Sequence, residues 1–378
     1  MSRPRVVVLR GHHANPWDLR PWEELDGFDV SVVVTGSNVF DLGSMSLDRV
    51  RVRALSDFVP TRRIRTFLGG APVNHYLGLK GAVDGADIVH AAELGTWFTA
   101  DAARHKAVGG YRLVSTVWET IPFRDTYRRR TTRANRALAL AETDLFLATT
   151  ERARNSLLLE GVPAEKVEVN APGVDIERFS SAAAQPPGEH VIVSPGRLVW
   201  EKGHQDVLRA LAAFRAGLVG APESTADVRL LVVGAGPEEK SLRQYARELG
   251  LGDSVDVGAS VPYDEMPGVY SSASCMVLAS LPTRLWEEQF GMVLAEAMAA
   301  GLPIVASSSG AIPEVVGPDG RYFTPGDWLG LARELAEGPL AWPAGTRVEY
   351  PVERLAPFSS TAAADRLAAA YERVLGRP

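Results

Sequence analysis

The chain has 378 residues, of which 46% are hydrophobic and 23% charged, and its formal net charge is -6. This composition is typical of a globular protein, and the negative charge argues against a dedicated nucleic-acid-binding protein. Cys275 is the only cysteine, which excludes an internal disulfide and a cysteine-based zinc site. Its apolar surroundings predict a core position. The length predicts two domains.

Short apolar runs alternate with helix-length segments along the whole chain. Runs of this kind are typical of parallel strands that are buried on both faces and joined by helices. The predicted strands are 6–9, 30–34, 50–55, 88–91, 113–117, 145–149 and 167–170 in the first half, and 191–194, 228–233, 255–257, 276–279, 303–306 and 322–323 in the second.

A small, proline- and glycine-containing stretch at 180–188 separates the two groups of strands and predicts an interdomain linker. We therefore expect two doubly wound, Rossmann-like α/β domains, over residues 1–180 and 190–358. Ligands of such sheets bind outside the carboxyl ends of the strands, so a ligand shared by facing domains would lie in a central cleft. Apolar residues at helical spacing within 359–378 predict a C-terminal helix, for which the N-terminal domain is a candidate packing partner.

No stretch is apolar for about 18 residues, so no transmembrane helix is expected. The first residues lack the layout of a signal peptide, and the expected compartment is the cytoplasm. Five arginines lie between Arg128 and Arg136 on a predicted helix. Such a run is usually a solvated helix face, but it could also contact an anionic membrane and hold the protein peripherally at the inner membrane face.

The most informative motif places Glu288 and Glu296 on either side of a glycine turn that opens into a helix. Gly301 and the proline after it predict where this helix ends. The free backbone amides of residues 290–293 would lie between the two acids. Hydroxyl acceptors would then flank an anion-binding helix N-terminus. A nucleotide sugar has both the hydroxyls and the diphosphate that fit such an arrangement.

Arg197 and Lys202 lie in the loop between the first strand of the second domain and its helix. A guanidinium and an ammonium at this edge can neutralise a diphosphate leaving group, although both could also be solvated surface cations. His204 begins the next helix and is expected to face solvent. The G-x-G at 234–236 indicates only a tight turn, because the third glycine of the dinucleotide fingerprint is missing.

Taken together, these motifs resemble the large retaining glycosyltransferase family 4 (glycosyl transferases group 1), which has the GT-B fold. The resemblance extends from about residue 85 to 375 and is most specific in the second domain. Segments 149–154, 160–166 and 172–179 resemble the end of that family's acceptor domain. The motifs of the second domain are Arg197 to Gly203, Gly234-x-Gly236-Pro-Glu238, Glu288 to Ala306, and Gly310-x-Ile-Pro-Glu314.

The resemblance implies a role for each matching residue. Arg197 and Lys202 would contact the donor diphosphate, Glu288 the hydroxyls of the donor sugar and Glu296 the ribose hydroxyls. No metal or cofactor is implied, and the sequence contains no metal-ligand motif; the substrate would be a GDP- or UDP-linked sugar. The implied main-chain contacts are those of Phe290, Gly291, Met292 and Val293 with sugar and phosphate, of Ser260 and Val261 with the base, and of Gly11 with the diphosphate.

The acceptor side departs from the family. Many members carry a histidine after the fourth or fifth strand of the first domain, where this chain has Trp118 and Glu119. Glu119 could align the acceptor hydroxyl or stabilise positive charge on the sugar, or it could be a structural hydrogen-bonding acid. His12 and His13 follow the first strand and could contact acceptor or diphosphate, or be ordinary loop histidines. Glu93, at a strand end, is a further acceptor-side candidate.

The resemblance implies transfer of a hexosyl group, of mannosyl or glucosyl type, from a nucleoside-diphosphate sugar to an acceptor hydroxyl with retention. The residues expected to act in catalysis are Arg197, Lys202, Glu288 and Glu119. One alternative is a GT-B sugar-nucleotide epimerase or hydrolase. Another is a non-catalytic sugar-nucleotide-binding protein, which the absent histidine motivates. Oligomeric state is left open.

Overall fold

The computed structural model describes residues 3–58, 75–124, 129–181, 189–220, 228–259 and 261–376. It divides into two units, one formed by Met1–Gly173 with Ser359–Pro378 and the other by Val174–Phe358. The change of unit thus lies before the predicted linker, whose residues 182–188 fall outside the described ranges. The reason is Phe179, which is fully buried against Tyr263 and Tyr270 of the second unit.

The first unit is built on a parallel sheet in the order β3-β2-β1-β6-β7-β8-β9. The order reverses between β1 and β6, so loops leaving these two strands diverge at the carboxyl edge. A separate antiparallel pair is formed by β4 and β5. The strands are β1 Arg5–Leu9, β2 Asp29–Val34, β3 Asp48–Arg51, β4 Arg53–Ala54, β5 Tyr76–Leu77, β6 Ile88–Ala92, β7 Arg112–Val117, β8 Leu145–Ala148 and β9 Val167–Val169.

Helices connect these strands, and several start at a side-chain cap. Asn15, Thr96 and Thr150 each accept a hydrogen bond from a backbone N–H three residues later. Short 3₁₀ turns occur at Leu55–Phe58 and Ala164–Lys166. The helices are α1 Pro16–Glu23, α2 Leu79–Val83, α3 Trp97–Gly109, α4 Arg130–Glu142 and α5 Glu151–Leu159.

The C-terminal helix, Ser360–Val374, packs on the first unit through its apolar stripe. Tyr371 on this stripe is fully buried, and its hydroxyl accepts a hydrogen bond from the Trp22 indole at 2.9 Å. The same hydroxyl lies 2.5 Å from Nδ1 of His90 in β6. A helix far away in the sequence therefore completes the core of the first unit.

The second unit contains a parallel sheet in the order β12-β11-β10-β13-β14-β15, which reverses between β10 and β13. Cys275 in β13 is fully buried, as predicted. The strands are β10 His190–Pro195, β11 Val228–Val233, β12 Val255–Ala259, β13 Cys275–Leu278, β14 Ile304–Ser307 and β15 Arg321–Phe323.

The helices of the second unit cover both faces of this sheet. In α7 the buried positions Val207, Leu211 and Phe214 recur at helical spacing and join the core cluster around β10 and β11. Turns of 3₁₀ type occur at Trp200–Lys202, Gly252–Ser254, Tyr263–Glu265, Gly317–Asp319 and Ala356–Phe358. The helices are α6 Ile176–Ser180, α7 His204–Arg215, α8 Glu239–Glu248, α9 Met266–Ser272, α10 Met292–Ala299, α11 Ile312–Val316, α12 Trp328–Ala336 and α13 Val352–Leu355.

These two doubly wound parallel sheets confirm the predicted α/β fold class. One predicted strand, 50–55, is divided between β3 and β4, which belong to different sheets. Across the described ranges, no helix combines the length and the apolar character that crossing a membrane requires.

The arginine-rich segment is less uniform than predicted. Arg128 lies outside the described residues, and Arg129, Arg130 and Arg133 are exposed. The expectation that Arg136 shares their surface is wrong, because its side chain is only 5% exposed. An ion pair of 2.7 Å with the Glu160 side chain, which is buried as well, compensates for burying this charge.

Candidate functional site

The reversal of strand order in the second unit brings two motif-bearing loops together. The loop after β10 carries Arg197 and Lys202, and the loop after β13 carries Glu288. Ligands of doubly wound sheets bind at such a reversal, outside the carboxyl ends of the strands. Leu281 N–H donates to Glu201 O at 2.8 Å, which joins the two loops directly.

Lys202 and Glu288 meet at the centre of this edge. Lys202 Nζ lies 2.6 Å from Glu288 Oε2, and the two side chains are 12% and 6% exposed. The Ser280 hydroxyl donates to the same carboxylate oxygen at 2.6 Å, and its backbone carbonyl accepts from Ser307 at 2.7 Å. The Lys202 ammonium also lies 5.0 Å from the centroid of the Trp286 ring. The carboxylate and the ammonium are thus held in place before any ligand binds.

Two glycines make this close approach of the loops feasible. Gly203 has φ +71°, and a Cβ there would lie 1.8 Å from the Ala279 carbonyl oxygen. Gly310 has φ +56°, and a Cβ there would lie 2.0 Å from the carbonyl oxygen of Glu288. That carbonyl accepts a hydrogen bond from Ala311 N–H at 2.9 Å, so the backbone of Glu288 is fixed as well.

Helix α10 begins beside the Lys202–Glu288 pair. Its N-cap Gly291 has φ +79° and provides no side-chain cap, so no N-cap side chain accepts from the amides of the first turn. Phe290 is 1% exposed and packs edge-on against Phe358 at 5.2 Å, which anchors the start of the helix. Met292 and Val293 are half-buried in the first turn. A helix start with these features favours an anionic ligand group.

The loop after β10 is supported from below by a histidine. The expectation that His204 faces solvent is wrong, because the ring is 1% exposed. Its Nδ1 lies 2.9 Å from Ser194 Oγ and its Nε2 lies 3.2 Å from the Arg197 carbonyl oxygen. Burial, assisted by the nearby Lys202 charge and opposed by the hydrogen bond with the Arg197 carbonyl, lowers the pKa of His204 to about 4. The imidazole is therefore neutral at pH 7 and positions the loop, whereas the Arg197 side chain is exposed.

Glu296 lies in the second turn of α10, as predicted, and is 4% exposed. The Tyr270 hydroxyl donates to its Oε2 at 2.9 Å, and Tyr263 bonds it too. Burial raises the pKa of Glu296 to about 7, and the two tyrosine hydrogen bonds and Arg178 oppose that rise. Neither tyrosine is predicted from the sequence, because their contacts with Glu296 depend on how α9 and the preceding 3₁₀ turn pack.

The raised pKa of Glu296 predicts a pH-dependent stability. A carboxyl that binds its proton more tightly when folded stabilises the fold at low pH, and that contribution is lost between about 4.5 and 7. Relative to Glu296→Gln, the unfolding free energy of the wild type should fall by roughly 2–3 kcal/mol between pH 5 and 8. Denaturant titrations across this range measure it, with the exposed Glu265→Gln as control. Parallel pH curves for wild type and Glu296→Gln would refute the assignment.

The first unit gathers its own candidates at the reversal between β1 and β6. Gly11 has φ +64° and is buried, and its carbonyl oxygen accepts a hydrogen bond from the Tyr76 hydroxyl at 3.2 Å. His12 is half-buried and His13 exposed, with ring centroids 4.0 Å apart. Val39 N–H donates to the His12 carbonyl oxygen at 2.9 Å. Both histidines therefore lie at a sheet edge where ligands bind.

Glu93, Trp118 and Glu119 form a connected group after β6 and β7. Glu93 adopts φ +63°, an uncommon conformation for a non-glycine residue, and its Oε1 accepts from Trp118 N–H at 2.8 Å. Burial and the nearby Glu119 raise the pKa of Glu93. Glu119 accepts from Ile121 N–H at 3.0 Å and pairs with Arg124 at 2.5 Å. These contacts match the structural alternative for Glu119.

The described residues also bear on the predicted base contacts and on metal binding. Val261 is half-buried at the end of β12, whereas Ser260 lies outside the described residues. No group of three or more histidine, cysteine, aspartate or glutamate side chains suited to a metal ion occurs within the described ranges.

Comparison with known families separates the same two parts of the chain. A model of glycosyltransferase family 4 matches residues 24–178, and a model of glycosyl transferases group 1 matches residues 175–337. The two matches meet near the change of unit, and together they cover all strands of the two parallel sheets except β1. The chain belongs to glycosyltransferase family 4, with the GT-B fold. Within that family, Lys202, Glu288 and Glu296 lie in the segment matched by the group 1 model.

The curated relatives of this family-4 protein match it in part. It is 33% identical over 168 residues to the GDP-mannose-dependent alpha-(1-6)-phosphatidylinositol monomannoside mannosyltransferase of Mycobacterium tuberculosis, covering 41% of each chain. It is 30% identical over 254 residues to the D-inositol 3-phosphate glycosyltransferase of Segniliparus rotundus, covering 62% of this chain and 54% of the relative. The chain spans about half the length of the curated relatives it matches.

Solved structures show the same fold over nearly the full family-4 chain. Sucrose-phosphate synthase from Thermosynechococcus elongatus superposes with a TM-score of 0.74 at 19% identity, covering 99% of this chain and 100% of that one. HepE of Anabaena, in complex with UDP and glucose, gives a TM-score of 0.70 at 18% identity, covering 98% and 100%. These neighbours confirm the prediction of a GT-B fold with two Rossmann-like domains.

Proposed function

We propose that the protein transfers a hexosyl group, of mannosyl or glucosyl type, from a GDP- or UDP-linked sugar to an acceptor hydroxyl with retention. The observation that carries this proposal is the 2.6 Å contact between Lys202 Nζ and Glu288 Oε2 beside the start of α10. An ammonium, a hydroxyl-accepting carboxylate and free helix amides within one edge match the parts of a nucleotide sugar.

Each group then has a defined task when the donor binds. Lys202, together with Arg197, neutralises charge that develops on the leaving diphosphate, and the amides of Gly291, Met292 and Val293 bind the same anion. Glu288 accepts from hydroxyls of the transferred sugar, while Ser280 keeps its carboxylate oriented. Glu296 accepts from the ribose hydroxyls. The reaction needs no metal in this scheme, because these cations and amides supply the stabilising charge.

The relatives favour the proposed donor class. One is named for its dependence on GDP-mannose. HepE of Anabaena has been crystallised with UDP-glucose as well as with UDP and glucose. Base contacts from the main chain near Val261 are compatible with either nucleotide. For the membrane alternative, Arg129, Arg130 and Arg133 are exposed, as a peripheral contact with an anionic surface requires.

Thermal unfolding against GDP-, UDP- and ADP-sugars tests the proposal. A donor at about 100 times its dissociation constant should add roughly 2.7 kcal/mol of stability. We expect one nucleotide class to stabilise the wild type and the exposed-site variant Lys240→Ala equally, and Lys202→Ala less. Product analysis with that donor should then give a glycoside of unchanged anomeric configuration. Donor turnover without an acceptor would favour an epimerase or hydrolase, and binding without turnover a non-catalytic binding protein.

A further inference from the structure

The guanidinium of Arg10 is buried at the carboxyl end of β1 with part of its bonding capacity unused. Its side chain is 4% exposed, and Nε lies 3.0 Å from Asp18 Oδ2. One terminal nitrogen donates to the Leu9 carbonyl oxygen at 3.3 Å. The other, Nη2, is buried and has no hydrogen-bond partner among the residues that the structure describes. A buried cationic N–H without an acceptor is costly, so this atom requires one.

Arg10 lines a small pocket at the carboxyl edge of the first sheet. The inner space is about 20 Å³, enough for one oxygen atom with its hydrogens. Trp118, Thr149 and Asn170 line the same pocket and directly follow β7, β8 and β9. All residues that line the pocket belong to the first unit. If a ligand larger than one oxygen atom places an oxygen in the pocket, the rest of that ligand would extend past these three side chains.

The charges around the pocket favour an anion. Asp18 is the acid that lines it, and it is already paired with Arg10. Next to the pocket, Arg366 of the C-terminal helix donates to Asn170 Oδ1 and to the Ala171 carbonyl oxygen, both at 2.9 Å. This contact uses the amide oxygen of Asn170, so its NH₂ group is left to serve a ligand. Arg10 thus offers a cationic donor and Asn170 an amide donor within the pocket lining, and together they suit an anionic oxygen.

We infer that this pocket binds an anionic oxygen of the acceptor, from either a phosphate or a carboxylate group, through Arg10 Nη2 and the Asn170 amide. The assignment to the acceptor rests on the proposed function, in which the second unit binds the donor. Trp118, held by Glu93, would cover one side of the acceptor group. The chain would therefore select acidic acceptors over neutral ones.

Titration of inorganic phosphate and of acetate, followed by calorimetry, tests the inference. The protein carries Lys202→Ala throughout, so that phosphate binding at the donor site is weakened and is the same in every variant compared. Adding Arg10→Gln should weaken binding of the preferred anion about tenfold or more, since a charge-assisted hydrogen bond is lost. Adding Arg129→Gln, at an exposed arginine of the same unit, should leave it unchanged. Adding Asp18→Asn should strengthen binding, because it removes the competing carboxylate.

The two probes separate the sources, since preference for phosphate indicates a phosphorylated acceptor and preference for acetate a carboxylated one. The inference fails if neither anion binds, or if Arg10→Gln and Arg129→Gln behave alike. If Arg10→Gln fails to fold, Asp18→Asn still tests the inference, because its affinity for the anion should rise rather than fall. Unchanged or weaker anion binding in Asp18→Asn would count against the pocket. Thermal stabilisation by the donor, measured with Lys202 intact, tests the proposed function separately. If the donor did not stabilise the protein, the result on anion binding would still be valid.

Discussion

Replacing Lys202 by methionine should reduce the turnover number for glycosyl transfer about a hundred- to a thousand-fold, the cost of removing one donor aimed at developing charge. The Lys202 side chain is 12% exposed, and its ammonium contacts Glu288 Oε2 and lies 5.0 Å from the centroid of the Trp286 ring. Methionine keeps an unbranched apolar stem of similar length while removing the charge. The loss should fall mainly on kcat, because the charge on the diphosphate grows as the sugar leaves.

Steady-state kinetics with the identified donor measure this effect. Lys240→Met, at an exposed position of α8 in the same unit, is the matched control and should keep wild-type kinetics. Glu288→Gln should also transfer the sugar more slowly, because Glu288 accepts hydrogen bonds from hydroxyls of the donor sugar. The size of this effect should depend on which of those hydroxyls the donor sugar carries. If Lys202→Met turned over as fast as Lys240→Met, the assignment of the diphosphate site would be wrong.

Replacing Arg136 by methionine should destabilise the protein by about 3–5 kcal/mol, because it leaves the Glu160 carboxylate buried without its partner. The two side chains are 5% and 4% exposed and 2.7 Å apart. Glu160 Oε1 also accepts from Phe123 N–H at 2.9 Å, and Phe123 has φ +52°. Loss of the pair should therefore also loosen the loop that follows β7.

Urea unfolding midpoints at constant slope measure this loss of stability. Arg133→Met, one turn earlier on α4 and exposed, should change stability little. Adding Glu160→Gln to Arg136→Met should recover part of the loss, because the buried charge disappears while an amide oxygen can still serve Phe123. Equal midpoints for Arg136→Met and Arg133→Met would show that the ion pair contributes nothing.

Most of the fold follows from local patterns. Apolar runs such as those of β1 and β13 are buried on both faces, and this property is visible in a few consecutive residues. The sequence of residues 50–55 predicts one strand, because apolar and charged residues alternate along most of it. The chain instead leaves the parallel sheet after Arg51, and Arg53–Ala54 pairs with Tyr76–Leu77, a partner that no local pattern identifies.

The same distinction applies to the candidate site. The sequence predicts Lys202 in the loop after a strand and Glu288 in the loop before a helix, and the structure joins them because loops at strand ends share one edge of a parallel sheet. Burial of individual polar residues was harder to predict. His204 and Arg136 were expected at the surface, since their residue types are usually exposed. Their partners Ser194 and Glu160 are ten and 24 residues away, and only tertiary packing brings them together.

The path of the chain makes the second unit an insertion within the first. Val174 N–H donates to the Phe358 carbonyl oxygen at 2.7 Å, so this unit begins and ends at neighbouring points. On the other side of that junction, a Cβ on Gly173 would lie 2.8 Å from Ser360 Cα. Cutting the chain at residue 180 would strip Tyr371 from the first unit and open its core, whereas joining 173 to 359 would keep it whole. The second unit is therefore exchangeable as one continuous segment, whereas the first unit is obtained whole only by deleting residues 174–358 from within it.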